Sequence, residues 1–169
     1  MRRRWIQQLS TQAHSVQPSR SLERFTAHLS AEGPSAALRY LNEGVPHRYT
    51  SVYRFDGELL RNVLLCDKRN QVRPEFLMAV PFGQSFCQFV LKDRTFSTSD
   101  SEHDPRLEGH PSRGVVVSYH SVPVLDDSAQ LWGTLSHFDM QSRPLADEEF
   151  DLLERAARVL GSHMAKVVR

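Results

Sequence analysis

The chain has 169 residues, enough for one domain with a sizeable core and short for two. Its 40% hydrophobic and 24% charged content is ordinary for a globule, and a net charge of +1 supplies no field to recruit nucleic acid. No apolar run approaches the roughly 20 residues needed to cross a bilayer, so no membrane partner is expected.

Two cysteines, Cys66 and Cys87, stand singly, without a CxxC pair. This argues against a disulfide framework or a zinc site and points to a reducing, cytoplasmic setting. The opening, MRRRWIQQLSTQAHSVQPSR, is rich in Arg, Ser and Gln and holds no acid. Polar residues interrupt any apolar stretch in it, unlike a secretory signal, although the composition also fits an organellar transit peptide. The preferred reading is an arm or accessory helix over residues 1–20, with Trp5, Ile6 and Leu9 as its apolar stripe. A single domain over 21–169 follows.

The pattern turns helical at Ser21, where Leu22, Phe25 and Leu29 recur at helical spacing. Gly33-Pro34 breaks that run, and a second helix carries Ala37, Leu38 and Leu41 on one face before Gly44 stops it. Strands begin at Arg48: Tyr49, Ser51, Tyr53 and Phe55 alternate against Thr50, Val52 and Arg54. Asp56-Gly57 is a hairpin signal, with the return strand over 59–66 and a polar loop over 67–75. Gly83 precedes a short helix carrying Phe86, Phe89 and Val90, and a brief edge strand spans 96–99. A long polar loop over 100–114 follows, with one helical turn near Pro105, and loops of this length are usually functional. Residues 115–124 and 131–139 form a hairpin in which Pro123 marks a bulge or the end of regular pairing. The last helix starts after Pro144 with Asp147, Glu148 and Glu149 in its first turn, where they suit the helix dipole. Phe150, Leu153, Ala157, Leu160 and Met164 form its apolar stripe. Helix, hairpin, helix, edge strand, hairpin, helix makes an α+β domain rather than a parallel βαβ sheet.

Four of these segments carry a resemblance. VPFGQSFCQFV (80–90), SYHSVPV (118–124), LWGTLSHFD (131–139) and ADEEFDLLERAARVLGSHM (146–164) follow in an order that resembles the GAF family of ligand-sensing domains. The resemblance covers Leu22 to Met164. It implies a central antiparallel β-sheet with terminal helices on one face. On the other face it implies a ligand pocket closed by helices and loops.

Within that family, VPFGQSFC (80–87) is similar to a segment of the free methionine-(R)-sulfoxide reductases. Thiol chemistry of that kind needs an attacking thiolate and a second cysteine to resolve the oxidised intermediate. The reductases carry further cysteines near positions held here by Phe96 or Ser97, and in the loop held here by residues 108–113. Cys66 does not match either place. Their substrate-binding carboxylates align with Tyr119, Ser136 and Phe138. No catalytic residue is therefore assigned, and the chain is expected not to be an enzyme.

Other chemistries find less. Asp147-Glu148 stand where cyclic-nucleotide-binding members have an acidic pair, but the accompanying Asn-Lys and Phe do not appear. Bilin-binding members attach their chromophore through a loop cysteine, and none lies between Phe96 and Val115. His103, His110, His120 and His137 offer no metal-ligand spacing. His120 and His137 are out of phase with Tyr119 and Ser136, so they should face away from the pocket into a buried, hydrogen-bonded or helix-facing role. Arg106 could reach an anion or stand solvated, and no GxSxG elbow is present.

The pocket follows from phase and resemblance together. Tyr49 and Tyr53 occupy positions where the reductases box their ligand with aromatic residues. Tyr119 and Ser121 share a face of one long strand, and Thr134, Ser136 and Phe138 share a face of its partner. Phe86 and Cys87 of the short helix complete an aromatic, hydroxyl-lined cavity closed by the 100–114 loop. Such a wall suits a neutral or weakly polar small molecule, and the alternative is a filled core with no cavity. The leading expectation is a small-molecule-binding sensory or regulatory protein with an unknown ligand, cofactor and signalling partner. A methionine sulfoxide reductase and an interaction module without ligand are the alternatives. The GAF resemblance also implies a homodimer through the terminal helices, whose stripes at 150–164 and 22–29 would serve both core and partner.

Overall fold

The computed structural model describes residues 20–167, so the arm with Trp5, Ile6 and Leu9 lies outside the described residues. Helix α1 (Leu22–Glu32) starts where the Ser21 hydroxyl accepts from the Arg24 amide, an N-cap bond that satisfies one orphan donor. Proline at the first turn opens α2 (Pro34–Glu43), which stops at Gly44. Strands β1 (Tyr49–Phe55) and β2 (Leu59–Asp67) form the first hairpin. Strand β3 (Ala79–Pro81), helix α3 (Cys87–Asp93) and strand β4 (Phe96–Thr98) follow. Strands β5 (Ser118–Leu125) and β6 (Leu131–Asp139) make the second hairpin, and α4 (Asp147–Val167) closes the chain.

The sheet is six-stranded in the order β3-β2-β1-β6-β5-β4, with every neighbouring pair antiparallel. This is an α+β architecture with two cores on the two sheet faces. On one face α1, α2 and α4 bury Phe25, Leu41, Leu153 and Leu160 against Val52, Val122 and Leu135. On the other, α3 and the 100–114 segment bury Phe86, Val90 and Leu107 against Tyr49, Tyr53, Tyr119 and Phe138. Each fully buried Leu, Val or Phe contributes about 1.5–3 kcal/mol by leaving water.

Two glycines allow the closest approaches. A Cβ at Gly133 would lie 1.9 Å from the Tyr53 carbonyl oxygen, and one at Gly161 would lie 1.9 Å from that of Leu125. The first lets β6 close on β1 beside the β1–β2 register shift, and the second seats α4 on the end of β5.

Several local expectations change. β3 was not expected; it is a three-residue edge strand, ended by proline and paired with Leu59–Arg61. The short helix begins at Cys87, with Phe86 as its N-cap. β5 begins at Ser118 rather than Val115, because the Val115 and Val116 amides bond back to the Ser112 carbonyl in a turn. Pro123 neither bulges nor ends the ladder. It stays paired opposite Thr134, beyond the last β4 partner at Ser121, and the register slips only between Val124 and Leu125.

Candidate functional site

The strand register builds the site floor in rows. Tyr49–Phe138–Tyr119 form one row across β1, β6 and β5, Ser51–Ser136–Ser121 the next, and Tyr53–Thr134–Pro123 the third. Large side chains thus flank a central row of serines, and Tyr49 stacks on Phe138 with centroids 4.8 Å apart. Over the floor lies a cavity of about 120 Å³ that opens at the surface. Its inner wall is Tyr53, Phe86, Cys87, Tyr119 and Phe138. Its mouth holds Phe76 and Val115, both more than half exposed, an apolar lip outside the core.

Five of the nine residues expected to line a pocket, Tyr53, Phe86, Cys87, Tyr119 and Phe138, come together at this cavity. The other four, Tyr49, Ser121, Thr134 and Ser136, are buried in the floor rather than along the open wall. The physical reason is closure from above: Cys87 Sγ lies 2.8 Å from Tyr119 Oη and 3.3 Å from Thr134 Oγ1. Ser121 and Ser136 hydroxyls pair at 2.7 Å, and Ser136 reaches Tyr119 Oη at 3.4 Å. A thiol and hydroxyl chain therefore runs under the cavity, and the fully buried Ser51 Oγ beside it has no hydrogen-bond partner among the described residues. Burial pushes the Tyr53 and Tyr119 phenols well above their ordinary range, so both stay uncharged near neutrality. Tyr53 Oη donates to the Leu77 carbonyl at 2.7 Å, which fixes the ring.

Residues that the strand pattern could not supply complete the wall. Leu77 comes from a 3₁₀ turn (Glu75–Leu77), Val80 from β3, and Ser112 and Val116 from the segment before β5. The VPFGQSFC segment does contribute Val80, Gln84 and Ser85 as well as Phe86 and Cys87.

The 100–114 segment is tightly tied. Ser101 Oγ donates to the Val116 carbonyl at 2.6 Å and accepts from the Gly114 amide at 3.0 Å, while Leu107 is fully buried. Arg106 is committed within it. Its guanidinium bonds both Asp104 oxygens and the Ser97 carbonyl, and stacks 4.5 Å over Phe96. The pairing holds Asp104 down at about 2.

The two cysteines lie on opposite faces of the sheet. Cys87 belongs to the cavity-side core, and Cys66 packs against the helix-side core. The histidines His120 and His137 face the helix side, as their phase requires, and are joined there by His47 from the α2–β1 link. Ring centroids are 4.9 Å apart for His47–His120 and 6.0 Å for His47–His137. His137 Nδ1 meets Thr50 Oγ1 at 2.7 Å and His120 Nδ1 meets Ser97 Oγ, but both His47 nitrogens and His137 Nε2 are buried without a hydrogen-bond partner among the described residues. Burial lowers all three, His47 to about 4. Among the described residues, no group of three or more His, Cys, Asp or Glu side chains is placed to hold a metal ion.

No family model matches the sequence, and no curated protein does. Solved structures are similar in fold. The GAF domain of an Acinetobacter phosphoenolpyruvate-protein phosphotransferase is 12% identical, with a TM-score of 0.68 over 86% of this chain and 93% of that one. A GAF sensor protein from Burkholderia vietnamiensis is 17% identical, with a TM-score of 0.66 over 84% and 89%. The free methionine-R-sulfoxide reductase of Neisseria meningitidis, solved with its substrate, is 17% identical, with a TM-score of 0.65 over 83% and 83%. The chain has the GAF fold, and that fold is shared by sensory domains and by reductases.

Proposed function

We propose that the chain is a small-molecule-binding sensory or regulatory module of a signalling system. The carrying observation is the cavity between Tyr53, Phe86 and Tyr119, on the sheet face opposite the terminal helices. Occupancy acts on the Phe86–Cys87 end of α3 and on β5, whose other face carries α4. A ligand that prefers one packing shifts the population toward it. Because the 100–114 segment is already tied by Ser101 and Leu107, movement falls on the lip rather than on the whole loop.

The proposed setting is the cytoplasm, without nucleic-acid or membrane partners; among the described residues no helix is long and apolar enough to cross a membrane. Homodimerisation through the terminal helices takes a narrower form. Phe25, Leu29, Leu153, Ala157, Leu160 and Met164 are buried in the chain's own core, so only the outward, polar sides of these helices are open to a partner. A thermal-shift screen against a metabolite library tests the reading. A specific binder raises the melting temperature by mass action, and a screen without any binder favours the interaction-module alternative.

A second reading, a thiol-dependent reductase of free methionine-R-sulfoxide, is favoured by one observation: Cys87 lines the cavity in a segment similar to that of the reductases. It lacks a resolving cysteine on the cavity side among the described residues, since Cys66 lies behind the sheet. We propose that the chain does not catalyse this reaction. Turnover of that substrate with a dithiol reductant, abolished by Cys87→Ser, would reverse the ranking.

A further inference from the structure

We infer that the cavity takes a single uncharged ring, or an equally small neutral molecule with one hydrogen-bonding group. This rests on the sensory reading above and names its ligand class. Size is the first ground. The cavity of about 120 Å³ is close to the roughly 150 Å³ apolar cavity that admits benzene. A nucleotide or a multi-ring chromophore does not fit that space without rebuilding the wall.

Charge is the second ground. Among the described residues, no Lys, Arg, Asp, Glu or His lines the cavity. A carboxylate or ammonium entering here loses its hydration and meets no countercharge. The imidazole of His110 stands behind Phe86 with centroids 4.7 Å apart, and burial holds it below its ordinary value. Arg106 is turned away, paired to Asp104 and stacked on Phe96.

The third ground is the kind of polar group that remains. Tyr53 Oη donates its one hydrogen bond to the Leu77 carbonyl and keeps lone pairs to accept with. At the inner end one hydrogen bond joins the Cys87 thiol and the Tyr119 phenol and uses one of their two protons; the other serves Thr134 or a ligand carbonyl, and the lone pairs accept from a ligand hydroxyl. Aromatic faces from Phe86, Tyr119 and Phe138 supply the rest of the wall.

Phenol and benzoate separate these grounds, because they share a ring and differ in charge. The 169-residue chain is titrated with each while side-chain resonances of Phe86 and Tyr119 are followed by NMR. Methionine sulfoxide, a cyclic nucleotide and a metabolite library are run alongside. Phenol is expected to shift both residues, with benzoate at least about 100-fold weaker for want of a countercharge. Val116→Phe and Val80→Phe each fill the cavity from a partly buried position, and each is expected to weaken phenol at least about tenfold. Two separate fills guard against one failing to fold. Benzoate or a charged metabolite binding at these residues as tightly as phenol overturns the ligand class and leaves the sensory reading standing. Phenol binding unchanged by both fills places it elsewhere and also overturns the class. If no compound perturbs Phe86 or Tyr119, the inference and the sensory reading fall together.

Discussion

Cys87 Sγ and Tyr119 Oη, from α3 and β5, meet at 2.8 Å, with both residues buried. The contact ties the short helix to the sheet at the inner end of the cavity. Each end has a second contact, Cys87 with Thr134 at 3.3 Å and Tyr119 with Ser136 at 3.4 Å, the latter near the limit for an oxygen pair. Cys87→Ala leaves the phenol buried with its best partner gone, at a cost of about 1–3 kcal/mol. Tyr119→Phe leaves the thiol its Thr134 contact and costs less. Urea unfolding of the two single variants and the double variant measures both costs and their coupling.

Acid should loosen the helix-side layer. His47, His120 and His137 are held neutral by burial, with folded values below the unfolded one near 6.5. The unfolded chain therefore binds more protons than the folded one as pH falls below that value. The stability these groups supply is full above about 6.5 and is lost as pH drops through the folded values, His47 at about 4. Each contributes at most about 1.4 kcal/mol per pH unit in that window. The groups facing them are mixed: Lys68 bonds the His47 carbonyl, Arg143 offers its carbonyl to His120, Arg20, itself paired to Glu149, adds positive charge near His137, and Asp139 acts the other way on His47. Denaturation midpoints between pH 4 and 7 should fall steadily toward acid, and His47→Gln should flatten the curve. A pH-independent midpoint in the parent chain would sink the argument.

Strand phase made much of the site legible, because side chains alternate with period two whatever the tertiary context. Spacing alone places Tyr49 with Tyr53, Tyr119 with Ser121, and Ser136 with Phe138, and the register then sets them side by side. Depth is what phase does not carry. Whether Ser121 and Ser136 face open space or lie under Cys87 and Tyr119 depends on where α3 sits, a long-range packing outcome. Leu77 and Ser112 sit in turns without any period, and Val116, read as part of a 115–124 strand out of phase with Tyr119, reaches the wall because it lies in a turn instead. His47 escaped for the same reason, as a link residue brought against two strand histidines only by the fold.

Gly133 and Gly161 should tolerate no side chain. A Cβ at either would stand 1.9 Å from a backbone carbonyl oxygen, and neither β1 nor the end of β5 can retreat without breaking its ladder. Gly133→Ala and Gly161→Ala should each destabilise by about 1–3 kcal/mol or more. This would oppose the gain of about 1 kcal/mol that alanine normally brings to a helix interior at Gly161. Thermal melts distinguish the two effects by sign. A raised melting temperature for Gly161→Ala would show that α4 can shift off Leu125.

The opposite placement of the cysteines makes a redox prediction. Cys66 packs under α2 on the helix side and Cys87 lies in the cavity-side core, with the sheet between them. A disulfide needs Cβ atoms about 4 Å apart, so the native fold forbids the bond while the unfolded chain permits it. Burial also pushes the Cys66 thiol upward, which lowers its thiolate fraction at neutral pH. Treatment with diamide under native conditions should leave no intramolecular disulfide by mass spectrometry. The same treatment in concentrated urea should produce one. Rapid formation of a Cys66–Cys87 bond in the folded chain would contradict the sheet placement and would restore a resolving cysteine to the reductase reading.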